Sequence, residues 1–229
     1  MTQAAGVSSG SEPQLKGLRP QSSFRGFLYI GTAAFLWGLS ASMGRAAFTG
    51  RMLPSLGISN VSPLILSQCR TGFSFLLVAI ALLFRRGIKQ LQIPRRDFAS
   101  LFLLGLGGVA ASNYFYYLAI QRTNVATAII VQYTAPVWVL LYMVLRGSER
   151  LTASKAGSVL LAIAGIALVI GLVGGLVGHG RMQLDPLGVF AALIAAFSFS
   201  YYNIGGHSVL VKYDRWSVLL YTTLSASLF

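Results

Sequence analysis

The sequence predicts an all-α polytopic membrane protein, with about seven apolar helices and an inverted-repeat plan. Three observations carry that expectation. Of the 229 residues, 55% are hydrophobic and only 10% charged, whereas soluble domains carry about a quarter charged residues. The chain also divides into apolar stretches that reach or approach the roughly 20 residues a spanning helix needs. Finally, the sixth stretch repeats the first. The net charge of +13 does not point to nucleic acid. The basic residues lie in short loops between apolar runs, where topology signals belong, rather than on one amphipathic face.

Taken in order, residues 1–24 are rich in Ser, Gly, Pro and Gln and lack an apolar core with a cleavage site. They read as a disordered cytoplasmic tail, not a signal peptide. Six spans follow, at about 26–47, 62–84, 97–121, 123–145, 153–178 and 186–210. Asp97 and Asp185 read as helix N-caps, the latter with Pro186 at the first helical position. A seventh apolar segment starts near Arg215 and is still apolar at Phe229. The expectation is a fragment cut inside helix seven.

Lysine and arginine set the orientation. Lys16, Arg19, Arg25, Arg85, Arg86, Lys89, Arg95, Arg96, Arg146, Arg150, Lys155, Lys212 and Arg215 fall on one side, against Arg51, Arg122 and Arg181 on the other. This imbalance puts the N-terminus in the cytoplasm.

Helix one, from Gly26, aligns without gaps to residues 188–208, with identities at Gly26/Gly188, Ala33/Ala195, Ala34/Ala196, Phe35/Phe197 and Gly44/Gly206. A repeat that restarts after five helices inserts upside down relative to the first copy, the plan of many secondary transporters.

Helices three to five then show a recognisable pattern. Asn113 is followed by aromatics and Ala119, and after a short turn comes an alanine-rich helix with Pro136. Glu149 lies in the next loop, with Gly157 and Gly165 in the helix beyond; Trp37-Gly38 and Arg70 precede them. This order resembles the EamA-type family of the drug/metabolite transporter superfamily over about residues 26–229. The resemblance implies ten helices in two inverted five-helix repeats. It places the first repeat at residues 25–180 and an incomplete second at 186–229. It also implies a plasma-membrane exporter or exchanger of small organic metabolites working by alternating access.

Arg70 is the residue that most needs explaining. It lies about eight residues, or roughly 12 Å by helical rise, below the surface near Ser62. A cation in hydrocarbon costs at least ~2.5 kcal/mol on insertion scales. Ser67, Arg70, Thr71 and Ser74 share one face of helix two. Asn113, Tyr116 and Tyr117 cluster in helix three, Gln132 and Pro136 share a face of helix four, and Ser200, Asn203 and His207 do so in helix six. These four faces, with Trp37 as an aromatic wall, form the expected substrate pathway. A second reading stays open, in which the hydroxyls bond back to their own helices or join neighbouring ones. Pro136 reads equally as a structural kink or a hinge. Gly105, Gly108, Gly157 and Gly165 read as points of close helix approach.

All five acidic residues, Glu12, Asp97, Glu149, Asp185 and Asp214, fall in the tail or at helix boundaries. A transport cycle driven by protons usually needs an intramembrane carboxylate, so the expectation is either that coupling residues lie in a C-terminal part beyond this sequence or that transport is uncoupled or exchange, with a lean to the latter. His179 and His207 do not make a metal cluster, and no nucleophile has a placed base. No cofactor, no metal and no enzymatic activity are expected. The expected partners are the lipid bilayer and a small solute, amino-acid-like or another metabolite, with Arg70 favouring an anionic or zwitterionic one. The alternative is a non-transporting membrane protein, lipid-facing or regulatory, on the same fold.

Overall fold

The computed structural model describes residues 23–51, 61–85, 93–169 and 185–229. The tail before Ser23, the glycine run 171–178, His179 and several of the loop cations used for orientation lie outside these residues. The described chain is helical, and no strand occurs among its residues. Five of its helical stretches are long and apolar enough to cross a bilayer. This is an all-α polytopic membrane protein.

The chain forms two units, residues 1–40 and 41–229. In the first, the early part of α1 (Ser23–Phe48) is apolar all round, and Phe27, Tyr29, Ile30 and Phe35 are each at least 69% exposed. A helix with no polar face suits lipid on every side.

The second unit holds the end of α1, then α2 (Pro63–Arg85), α3 (Arg95–Leu104) and α4 (Ala111–Arg122). A π-helical turn at Gly105–Ala110 joins α3 to α4, so the two make one continuous span. Next come α5 (Val125–Gln132), α6 (Ala135–Leu145), α7 (Ala153–Val169), α8 (Pro186–Leu210) and α9 (Arg215–Ser227). The core is where α4, α5 and α8 meet. Ala119, Ile120, Ala128, Val131, Ala192 and Ala195 are fully buried there. The alanine-rich face of α8 lets the backbones approach closely, as membrane helices do without a water-driven hydrophobic force.

Several expectations need correction. The fourth span is not one helix: α5 stops at Gln132 and α6 starts at Ala135, with Tyr133 and Thr134 in a turn between them. Pro136 sits in the first turn of α6, where its missing N–H is least costly, and its ring cannot follow a helical carbonyl four residues back. The break therefore falls just before the proline. Asp97 is not the N-cap of its helix, because Pro94 holds that place and Asp97 lies in the first turn. Asp185 does cap α8, accepting from the Leu187 N–H at 3.0 Å ahead of Pro186.

The glycines divide. A Cβ on Gly105 would lie 1.8 Å from Ser225 Oγ and 2.4 Å from the Thr222 carbonyl oxygen of α9. One on Gly108 would lie 2.8 Å from Tyr202 Cβ of α8. Both mark close helix approach. Gly157 and Gly165 do not, since a Cβ at either would meet nothing within 4 Å among the described residues.

Candidate functional site

The polar positions of the spans separate into three groups. The first surrounds α4. Tyr117 is buried, and its ring meets Phe48 edge-on at 6.2 Å and Tyr116 at 5.6 Å. The absence of a side chain on Gly44 lets α1 come this near, because a Cβ there would stand 2.8 Å from Tyr117 Cε1. Half-buried Arg70 reaches the same ring from α2. Its Nη1 donates to Tyr117 Oη at 3.4 Å, with the guanidinium carbon 5.8 Å from the ring centre. That hydrogen bond is at the long end of the useful range, and no carboxylate among the described residues pairs with the cation.

Tyr116 lies deeper, at 1% exposure, and its hydroxyl has no hydrogen-bond partner among the described residues. An unpaired buried hydroxyl costs about 1–3 kcal/mol. Its electrostatic neighbours are Arg70, Tyr117 and Tyr133. Asn113, on the same helix, is half-buried.

One turn further along, Arg45 behaves differently. Its Nη1 donates to the carbonyls of Ile120 at 2.5 Å and Gln121 at 3.3 Å, closing the C-terminal end of α4. Cations are favourable there because the last carbonyls lack helical partners. In the sequence Arg45 stands near the end of the first apolar stretch. A basic residue one helix away gives no sequence signal that it caps α4.

The second group joins helices. Gln132 Nε2 donates to Ser112 Oγ at 3.2 Å, and Ser112 donates to the Ala195 carbonyl at 3.3 Å, linking α5, α4 and α8. Ser200 donates to the Ala135 carbonyl at 3.0 Å and to its own helix at Ala196 at 2.7 Å. It thus takes up a carbonyl beside the α5–α6 break. On α2, Thr71 and Ser74 donate to the carbonyls of Ser67 and Arg70 at 2.9 and 2.8 Å. Gln132 and Pro136 do not share a face, since Gln132 is buried and Pro136 exposed. The two-residue interruption rotates them apart.

The third group lies at the junction of α8 and α9. Exposed Asn203 and His207 line a cavity of about 520 Å³ with Arg215 and Trp216. A neighbouring cavity of about 320 Å³ is lined by Asp97, Ser100, Lys212 and Tyr213. The Tyr213 hydroxyl donates to the Asp97 carboxylate, which raises the phenol's pKa above 10.0. Arg70, Tyr116, Tyr117, Gln132 and Ser200 line neither cavity. Neither of these two cavities brings the four faces together. Trp37, 38% exposed, belongs to the first unit.

The family model of EamA-like transporters matches residues 24–171, more than half the chain. The chain belongs to the EamA-like transporter family. An uncharacterized transporter of Archaeoglobus fulgidus is 23% identical over 67% of this chain and 51% of its own length. The uncharacterized inner membrane transporter YicL of Salmonella typhimurium is 23% identical over 86% of this chain and 62% of its own. The uncharacterized transporter YdeK of Bacillus subtilis is 32% identical over 58% of this chain and 47% of its own. The EamA-like chain thus spans about half to three fifths of the curated relatives it matches. No solved structure matches it.

Proposed function

We propose that the full protein is a secondary transporter of small organic metabolites, an exporter or exchanger working by alternating access, with Arg70 in its substrate path. One observation carries this reading. Arg70 sits half-buried on a spanning helix and, among the described residues, makes one long bond to a phenol, leaving most of its five N–H donors for another partner. An intramembrane cation of this kind marks a functional site by default. The curated relatives are named as transporters, and YicL as an inner membrane one.

Two inverted repeats, the first over residues 25–180 and the second from 186, fit the pairing of α1 with α8 in sequence. The cytoplasmic N-terminus follows from the loop cations, and a plasma-membrane location from the family. Trp37, Asn113 and Asn203 belong to the proposed path. Gln132, Pro136 and Ser200 shape it from behind, by the bonds and the break that set α5 and α6 against α4 and α8.

A substrate-panel export assay on the full-length protein tests the reading. Arg70→Ala is expected to weaken transport of anionic solutes more than of neutral ones. Equal loss for all solutes means a structural role. If cysteines placed at positions 37, 70, 113 and 132 stay sealed from aqueous label in every state, the non-transporting alternative gains.

A further inference from the structure

Beside Arg70 lies a hydroxyl that the fold buries and leaves without a partner. Tyr116 is 1% exposed, packed against Tyr117, and its Oη makes no hydrogen bond among the described residues. A phenylalanine would fill the same space without desolvating an oxygen, so packing alone does not account for this tyrosine. The guanidinium, with donors to spare among the described residues, bonds the Tyr117 hydroxyl, and the Tyr116 ring packs against the Tyr117 ring. The aromatic faces of Phe48, Tyr116 and Tyr117 supply the apolar walls.

Donors need acceptors, and the described carboxylates are elsewhere. Asp97 accepts from Tyr213, Glu149 pairs with Lys155, Asp185 pairs with Arg122, and Asp214 caps α9. A solute at Arg70 therefore meets cationic and hydroxyl donors for an oxyanion, but no described carboxylate for an ammonium.

We propose that Tyr116 is a specificity-determining residue of the Arg70 site, and that Arg70 and Tyr116 together read a carboxylate head group without reading an α-ammonium. This rests on the reading of Arg70 as part of the substrate path. When the alternating-access cycle opens this buried cluster to a solute, the Tyr116 hydroxyl donates to one carboxylate oxygen and Arg70 to the other, which satisfies the orphaned hydroxyl and the unused guanidinium donors in one step. Charge-assisted bonds of this kind are the strong ones. The solute class is thus a small organic acid, with amino acids accepted through their carboxylate.

The test uses the purified full-length protein in detergent and three probes of one carbon skeleton: leucine, its 2-hydroxy analogue 2-hydroxyisocaproate, and isopentylamine, which lacks the carboxylate. Ligand-induced thermal shifts are titrated for the native protein, Tyr116→Phe and Arg70→Ala. Both acids are expected to bind with affinities within a few-fold of each other, and the amine not to bind. Tyr116→Phe should keep or raise the unliganded melting temperature and lower affinity for both acids about tenfold, the loss of one hydrogen bond to a charged group. Native-like binding by Tyr116→Phe overturns the role of Tyr116 while leaving Arg70 in place. Binding of the amine, of leucine alone, or of none of the three overturns the carboxylate assignment. Undiminished acid binding by Arg70→Ala overturns the underlying reading of Arg70 instead.

Discussion

Arg45 and Arg70 both reach α4, one at its last carbonyls and the other at a side chain three residues earlier. Arg45 is spent on structure, with two backbone oxygens of α4 accepting from one nitrogen at 2.5 and 3.3 Å. Arg70 makes a single 3.4 Å bond to a phenol that is itself held by aromatic packing. The same residue type, on helices that flank the same partner, is therefore committed to backbone carbonyls in one place and held by one long bond to a side chain in the other. The difference teaches that a cation in a span is not in itself a substrate site. What its donors already hold decides the matter.

The comparison breaks most severely at Arg45. Arg45→Ala strips a charged donor from carbonyls that the fold has already desolvated, a loss of about 2–4 kcal/mol. It should appear as a large fall in melting temperature and in folded yield, with the selectivity of the remaining protein unchanged. If Arg45→Ala instead alters selectivity at normal stability, the two arginines are not divided as described.

Gly44→Ala comes next, because it strikes between them. The new methyl would stand 2.8 Å from the Tyr117 ring, and such overpacking costs about 1–3 kcal/mol. Since the ring it displaces carries the Arg70 contact, melting temperature and affinity for acids should fall together. A smaller effect sharpens the contrast from the other side. Arg70→Met keeps an apolar stem and removes the charge, so stability should change by no more than about 1 kcal/mol, as for most substitutions that break no dense network. A melting temperature lowered as far as by Arg45→Ala would refute the availability of Arg70.

The smallest effect belongs to a polar contact outside the spans. The bond from Tyr213 to Asp97 raises the phenol's pKa above 10.0. A raised folded-state pKa means that the contribution is fully present below pH 10 and is lost as pH rises through the folded value. Tyr213→Phe should lower the melting temperature slightly at neutral pH and flatten the alkaline end of the stability profile, so that the two proteins converge as pH rises from 7 to 11.

How much of this was legible in the sequence varies with the range of the interaction responsible. The spans themselves were readable, because lipid demands length and apolarity in every residue of a crossing segment. The Asp185-Pro186 start of α8 was readable too, since capping is a matter of three adjacent residues. The break at Tyr133–Thr134 was only half readable. Pro136 announced a fault, but its position depends on Thr134, whose hydroxyl donates to the Val131 carbonyl at 2.8 Å and accepts from Trp138 at 3.1 Å. Asp97 sat in a plausible capping context and was taken instead by a tyrosine 116 positions away. The proposed site was least legible of all. Tyr116, Tyr117 and Arg70 were visible as polar groups in spans, yet the orphaned hydroxyl of one and the loose bond of another are facts of packing. The π-helical turn, Gly-Leu-Gly-Gly-Val-Ala, read simply as a packing stretch.

That turn sets a phase. By 3.6 residues per turn, one residue more or less rotates everything beyond it by about 100°. Asp97 lies before the turn and makes its contact with Tyr213; Tyr117 lies after it and meets Arg70. The span therefore works as a two-dial shaft whose dials are offset by the winding between them. Deleting a single residue from Gly105–Ala110 would tighten the winding and swing Tyr117 away from Arg70 without altering either residue.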